Sequence, residues 1–148
     1  MPPITPPLSE AVFTLHRYYL WANRMYGHFM QSGLAPEERI ARRLWLQQTF
    51  AYSALWLSLL HVVASGWAEL KLEDHEVQQL LESPNRDFLR RFRNGAFHFQ
   101  PNYFDVRFTE FFDGPQEPIE WASELHKAIG RWFIGKASSA IEALASDI

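Results

Sequence analysis

The sequence predicts an all-α protein, built as an antiparallel up-and-down bundle of four to five helices. Apolar residues recur at helical spacing in several long segments, and proline or glycine interrupts the chain between them. The connections between these segments are short, as in helical bundles. A chain of 148 residues, 47% hydrophobic and 16% aromatic, is long enough for one domain with a sizeable core.

The N-terminal part of the chain predicts a short lead-in and a first helix. Residues 1–8 are proline-rich, and a single helical domain is expected to span residues 9–148. Ser9 belongs to the residue types that cap helix N-termini, and apolar side chains recur at helical spacing from there to Gly33. The first helix is therefore expected between these two residues.

The second predicted helix is long and largely uncharged. Pro36 lies at a first-turn position before two glutamates, so we predict a helix over about residues 37–67, which Gly66 ends or bends. From Leu44 to Ala68 there is no Asp, Glu, Lys or Arg, and a segment of that length can cross a bilayer. Polar residues recur through it, however. We therefore expect no membrane span but a central helix, buried by its bundle neighbours and a second subunit.

Two further helices are predicted before residue 101. A short one begins at Asp74, and Ser83 with the proline after it ends that helix. Ser83 or Asn85 then caps the next helix, which carries a run of arginines until Pro101 stops it. This arginine-bearing helix is the segment on which the functional prediction depends.

The C-terminal part is predicted to contain one irregular segment and one long helix. Residues 103–112 alternate in part between apolar and polar side chains, which predicts a short strand or an aromatic loop. A turn at residues 113–115 follows, with the sequence Asp-Gly-Pro. Pro118 then begins a final helix whose apolar positions form one broad face as far as Leu144.

Composition excludes several classes of function. The chain has no cysteine, which removes disulfides, thiolate metal ligands and a cysteine nucleophile. Its N-terminus has neither the basic region nor the apolar core of a secretory signal, so a cytoplasmic location is predicted. No Glu-x-x-His or His-x-x-x-His pair occurs, so we predict no metal site and no cofactor. A three-histidine site assembled in space is the alternative that spacing leaves open.

The most informative stretch runs from Arg93 to His98, with the sequence RNGAFH. On an ideal helix Asn94 and His98 project about 40° apart, whereas Arg93 points about 140° from His98. An imidazole can exchange a proton with a ribose hydroxyl, and a guanidinium can stabilise charge on a phosphate. We therefore predict metal-free RNA cleavage, with His98 as general acid and base, Arg93 as phosphate ligand and Asn94 orienting one of them. The alternative is a surface arginine and a buried histidine packed beside two phenylalanines.

Positive charge is concentrated around this stretch, although the formal net charge of the chain is -3. Arg86, Arg90 and Arg91 are predicted to follow the phosphates of an RNA strand, and Tyr103 to stack on an unpaired base. The alternative is a solvated helix face with pairs such as Asp87 with Arg91.

The Arg93-Asn94-x3-His98 pattern resembles the signature of the HEPN superfamily. These are small all-α domains found in many prokaryotic RNases, toxins and nucleotidyltransferase-associated proteins. The order of helices around the motif extends the resemblance over most of the chain. It implies a HEPN-like bundle that forms a homodimer and cleaves RNA without a metal at a composite site, where the Arg and His of both subunits face one another.

The resemblance also implies partners and leaves one alternative. RNA is the implied substrate, with cyclic-phosphate product ends, and an antitoxin or a nucleotidyltransferase is the implied protein partner of a toxin or defence protein. Gln100 stands where toxin members often have tyrosine, which argues against the toxin assignment in particular. Some members do not cleave RNA, so the alternative is a non-catalytic helical dimer that binds RNA, a nucleotide or a protein partner.

Overall fold

The computed structural model describes residues 8–114, 117–137 and 146. The described chain is helical, without strands, which confirms the predicted all-α class. The helices are α1 (Leu8–Gln31), α2 (Arg39–Glu69), α3 (His75–Leu81), α4 (Asn85–Phe97), α5 (Val106–Phe112) and α6 (Pro118–Trp132), and a π-helical turn (Phe133–Ala137) continues α6.

Acidic side chains fix the starts of three helices. The carboxylate of Glu38 accepts hydrogen bonds from the backbone N–H groups of Ile40 and Ala41, at 3.1 and 2.8 Å. Asp74 caps α3 and Asp105 caps α5 in the same way. Such caps satisfy N–H groups that have no partner inside the helix, and they place negative charge at the positive helix end.

The core lies where α2 meets α1, α4 and α6. Large side chains without solvent exposure come from α2, α4, α5 and α6: Trp56, Leu57, Leu60, Trp67, Leu89, Phe92, Phe111, Leu125 and Ile129. Two glycines allow helices to approach closely. A Cβ on Gly66 would lie 2.5 Å from Leu15 Cδ1, and a Cβ on Gly130 would collide with the hydroxyl of Tyr19.

A histidine is buried in the centre of this core. His126 is 1% exposed, and its Nδ1 accepts a hydrogen bond of 3.3 Å from Trp56 Nε1. Because an indole nitrogen can only donate, the ring proton must sit on Nε2, which donates to Asn23 Oδ1 at 2.9 Å. Burial lowers the pKa of His126 from 6.5 to about 4, so the ring is neutral at physiological pH.

The segment from residue 103 to residue 112 differs from its prediction as a strand or loop. Only its first part, before Asp105, is irregular, and the rest forms α5. The segment also has helical spacing, because Phe111 and Phe112 follow Phe108 by three and four residues. All three rings pack against Phe92. Burial of that aromatic face and the Asp105 cap together favour the helix.

The other helix boundaries differ less from their predicted positions. The first helix is described from Leu8, so the backbone of Ser9 lies inside it. The long helix α2 continues through Gly66 to Glu69, so this glycine does not end it. The predicted lead-in, Pro115 of the predicted turn and the end of the last helix, with Leu144, lie outside the described residues.

Among the described helices, α2 alone is long and apolar enough to cross a membrane. Its most apolar 18-residue window has a mean hydropathy of 1.3 and is 39% buried inside the bundle. The second half of α2 is the core helix that the sequence predicts. In the first half Ile40, Leu44 and Leu46 are exposed by 47% or more in the single chain, so its bundle neighbours do not bury them, and their burial by a second subunit stays a prediction.

Candidate functional site

The motif residues lie at the C-terminal end of α4, but not on one helix face. The helix ends at Phe97, and His98 has extended backbone angles, φ -122° and ψ 129°. The predicted 40° relation between Asn94 and His98 is therefore wrong. Pro101 prevents the helix from continuing much further, because it has no N–H for the carbonyl of Phe97 and disfavours helical angles in Gln100.

Arg93 is held in place by Asn94. Its Nη1 donates a hydrogen bond of 3.1 Å to Asn94 Oδ1, and both side chains are half-buried. Among the residues that the structure describes, neither Arg93 nor Arg86 forms an ion pair. These two guanidinium groups therefore keep their charge available for a ligand.

The other two arginines of α4 are paired with carboxylates. Arg90 contacts Asp87 at 2.6 Å, and Arg91 contacts Glu110 of α5 at 2.9 Å. The predicted pair between Asp87 and Arg91 is replaced by these two. Arg90 and Arg91 can still contact a phosphate, but the carboxylates of Asp87 and Glu110 already neutralise part of their charge.

His98 stands among exposed aromatic side chains after α4. The ring of His98 is exposed, so the alternative of a buried, packed histidine does not hold. Phe97 is 59%, Phe99 92%, Tyr103 68% and Phe104 77% exposed. Four aromatic residues within eight positions are thus exposed, and the rings of Tyr103 and Phe104 contact each other. Exposed aromatic side chains are enriched at binding surfaces.

Hydrogen bonds pin this exposed segment to α5. Gln100 Nε2 donates to the carbonyl of His98 at 2.8 Å, and Gln100 Oε1 accepts from Arg107 Nη2 at 2.6 Å. Arg107 in turn donates to Asp105 at 2.9 Å. Gly95 lets α5 lie close, because a Cβ there would be 3.2 Å from Arg107 Cβ. Gln100 thus connects the backbone of His98 to Arg107 of α5.

The structure places Arg93 beside a histidine that the sequence does not single out. Arg93 lines a groove of about 770 Å³ together with His61 and Ser65 of α2, whereas His98 is not among the lining residues. Burial lowers the pKa of His61, and the nearby charges of Arg93, Arg86 and Arg90 lower it further. The imidazole is therefore neutral at physiological pH. Ser65 Oγ lies 3.5 Å from its Nε2.

The described residues contain no group of three or more His, Asp or Glu side chains placed to hold a metal ion. Comparisons with protein-family models, curated proteins and solved structures found no match to this chain. The resemblance to the HEPN superfamily therefore stays a prediction carried by the motif. A toxin or defence role, an antitoxin or nucleotidyltransferase partner and a cytoplasmic location also stay predictions.

Proposed function

We propose that this protein is a metal-independent endoribonuclease of HEPN type that acts as a homodimer. The observation that carries the proposal is the exposed end of α4. There Arg93 is oriented by Asn94 without a carboxylate partner among the described residues, and His98 follows on an exposed, pinned segment. A guanidinium without an internal counter-ion suits a phosphate, and an accessible imidazole suits proton transfer.

The proposed reaction uses the 2′-hydroxyl of the substrate as nucleophile. His98 accepts the proton of that hydroxyl, and the hydroxyl oxygen attacks the adjacent phosphorus. The bond from phosphorus to the 5′-oxygen of the next nucleotide breaks, and the protonated His98 returns the proton to this leaving oxygen. Arg93 stabilises the charge that develops on the phosphate oxygens. Arg86 extends the positive surface, and Tyr103 is exposed for stacking on a base. The products are a 2′,3′-cyclic phosphate and a 5′-hydroxyl.

A second copy of the chain completes this site in the proposal. Arg93 lines the groove beside α2, whereas His98 does not. Within one subunit the guanidinium and the imidazole therefore do not line the same groove. The exposed apolar side chains in the first half of α2 and around His98 give a second copy surfaces to cover. Arg93 of one subunit would then work with His98 of the other.

The second candidate is a non-catalytic dimer of the same fold that binds RNA, a nucleotide or a protein partner. The exposed aromatic side chains from Phe97 to Phe104 favour it, because binding surfaces are rich in such residues and need no proton transfer. Both candidates use the end of α4, and they differ in whether RNA is cleaved there.

The experiment that separates them follows the fate of a short single-stranded RNA in EDTA. We expect cleavage with cyclic-phosphate ends, insensitive to the chelator. A matched RNA with a single 2′-deoxynucleotide at the main cleavage position is expected to resist cleavage at that bond only. Cleavage that continues at the deoxy position, or that requires a divalent metal, would contradict the proposal. Binding of RNA without cleavage would support the second candidate.

A further inference from the structure

The groove beside Arg93 is lined by both apolar and polar side chains. It lies between α1, α2 and α4 and has a volume of about 770 Å³. Its apolar lining residues include Ala11, Leu15, Val62 and Leu70, and Tyr18 also lines it. A space of this size and lining suits the apolar body of a small organic molecule.

The polar groups give the groove two different ends. His61, Ser65 and Glu69 follow one another at intervals of four residues along α2, so the first and last are about 12 Å apart along the helix axis. Arg93 lies at the His61 end, since it perturbs that imidazole more than any other charged residue does. His61 and Ser65 also line an adjoining groove with Arg86 and Arg90. One end is therefore cationic, and the other carries a carboxylate.

Arg93 supplies the charge at the cationic end. The imidazole of His61 is neutral because of its burial and the surrounding guanidinium groups. A guanidinium has five N–H donors, and the bond to Asn94 uses one of them. When the ring proton of His61 is on Nε2, the hydroxyl of Ser65 accepts from it and keeps its own O–H as a donor for a ligand. A ligand at this end can thus accept a charge-assisted pair of hydrogen bonds.

We infer that this groove binds an organic monoanion, with its anionic head on Arg93 and Ser65 and its apolar body over Leu15 and Val62. Glu69 at the far end disfavours a ligand with a second negative charge. The inference shares Arg93 with the proposed ribonuclease site, but it needs neither His98 nor RNA nor a second subunit, so it can hold even if the protein does not cleave RNA.

The test is a set of NMR titrations with four ligands that share an eight-carbon chain: octanoate, octanol, octylamine and octanedioate. We expect octanoate to shift the NMR resonances of the backbone amides of Val62 and Ser65. It should bind about tenfold more tightly than octanol, because it gains one charge-assisted hydrogen bond. Octylamine should bind no better than octanol. Octanedioate should bind more weakly than octanoate.

Matched variants assign the preference to its residues. Arg93→Gln should bind octanoate no better than octanol, while Arg24→Gln, which removes a charge from a different groove, should keep the wild-type preference. Glu69→Gln should bring octanedioate close to octanoate. His98→Ala should leave all four affinities unchanged, which separates this site from the ribonuclease proposal.

Two results would overturn the inference. One is octylamine binding as tightly as octanoate to the wild-type protein. The other is a preference for octanoate over octanol that survives in Arg93→Gln. The comparison of ligands on the wild-type protein requires no variant, so the inference can be tested even if a substitution prevents folding.

Discussion

Replacing His98 with alanine is expected to lower RNA cleavage by about two to four orders of magnitude, the usual contribution of a general acid or base. His98 is exposed at the end of α4, and its backbone carbonyl accepts a hydrogen bond from Gln100. Alanine keeps that carbonyl, so the fold and the loop should persist. The loss should therefore appear in kcat, measured with a labelled RNA, and not in the melting temperature.

The matched control is His75→Ala. This histidine is also exposed, but it lies at the start of α3, outside the proposed site. It should cleave RNA at the wild-type rate. If His98→Ala cleaves RNA as fast as His75→Ala, then His98 is not the catalytic group, and if both lose activity together, the effect is not specific to the motif.

Acidification from pH 7 to pH 4 is expected to destabilise the fold through His126. The folded-state pKa of this residue is about 4 against 6.5 for a free histidine, so the unfolded chain binds the proton more readily. The stabilisation is complete above pH 6.5 and is lost as the pH falls towards 4, on the order of 3 kcal/mol in all. The structural cause is clear, because a protonated Nδ1 would face the N–H of Trp56 with a second donor.

Urea unfolding at several pH values measures this loss, and His126→Gln is the matched variant. An amide can still accept from Trp56 and donate to Asn23 without titrating in this range. His16 and His61, whose pKa values are also lowered by burial, should destabilise both proteins alike on acidification. The difference between the two proteins thus reports His126. An equal pH dependence in both would contradict the assignment.

Much of the fold could be predicted from the sequence because local signals and tertiary packing agree. Pro36 and the acidic residues after it mark the start of α2, and Glu38 caps that helix in the structure. The structure of residues 103–112 was harder to predict, because the partial alternation indicates a strand while the spacing of the phenylalanines indicates a helix. Contacts with Phe92, which is distant in sequence, decide in favour of the helix.

The site could be predicted only in part. The residue types from Arg93 to His98 identify the end of α4, but the helix ends at Phe97, so ideal helical geometry does not apply to His98. His61 could not be assigned, since only folding brings α2 beside the arginines of α4. The one available signal was local: His61 and Ser65 lie four residues apart in a segment without charge.

The most direct test of the composite site is a mixing experiment with two inactive variants, Arg93→Gln and His98→Ala. In a shared site, a mixed dimer combines an intact Arg93 from one subunit with an intact His98 from the other. After the two variants are unfolded and refolded together in equal amounts, we predict that roughly a quarter of the wild-type cleavage rate returns. The variants refolded separately should stay inactive. A mixture that remains as inactive as its components would contradict the shared site.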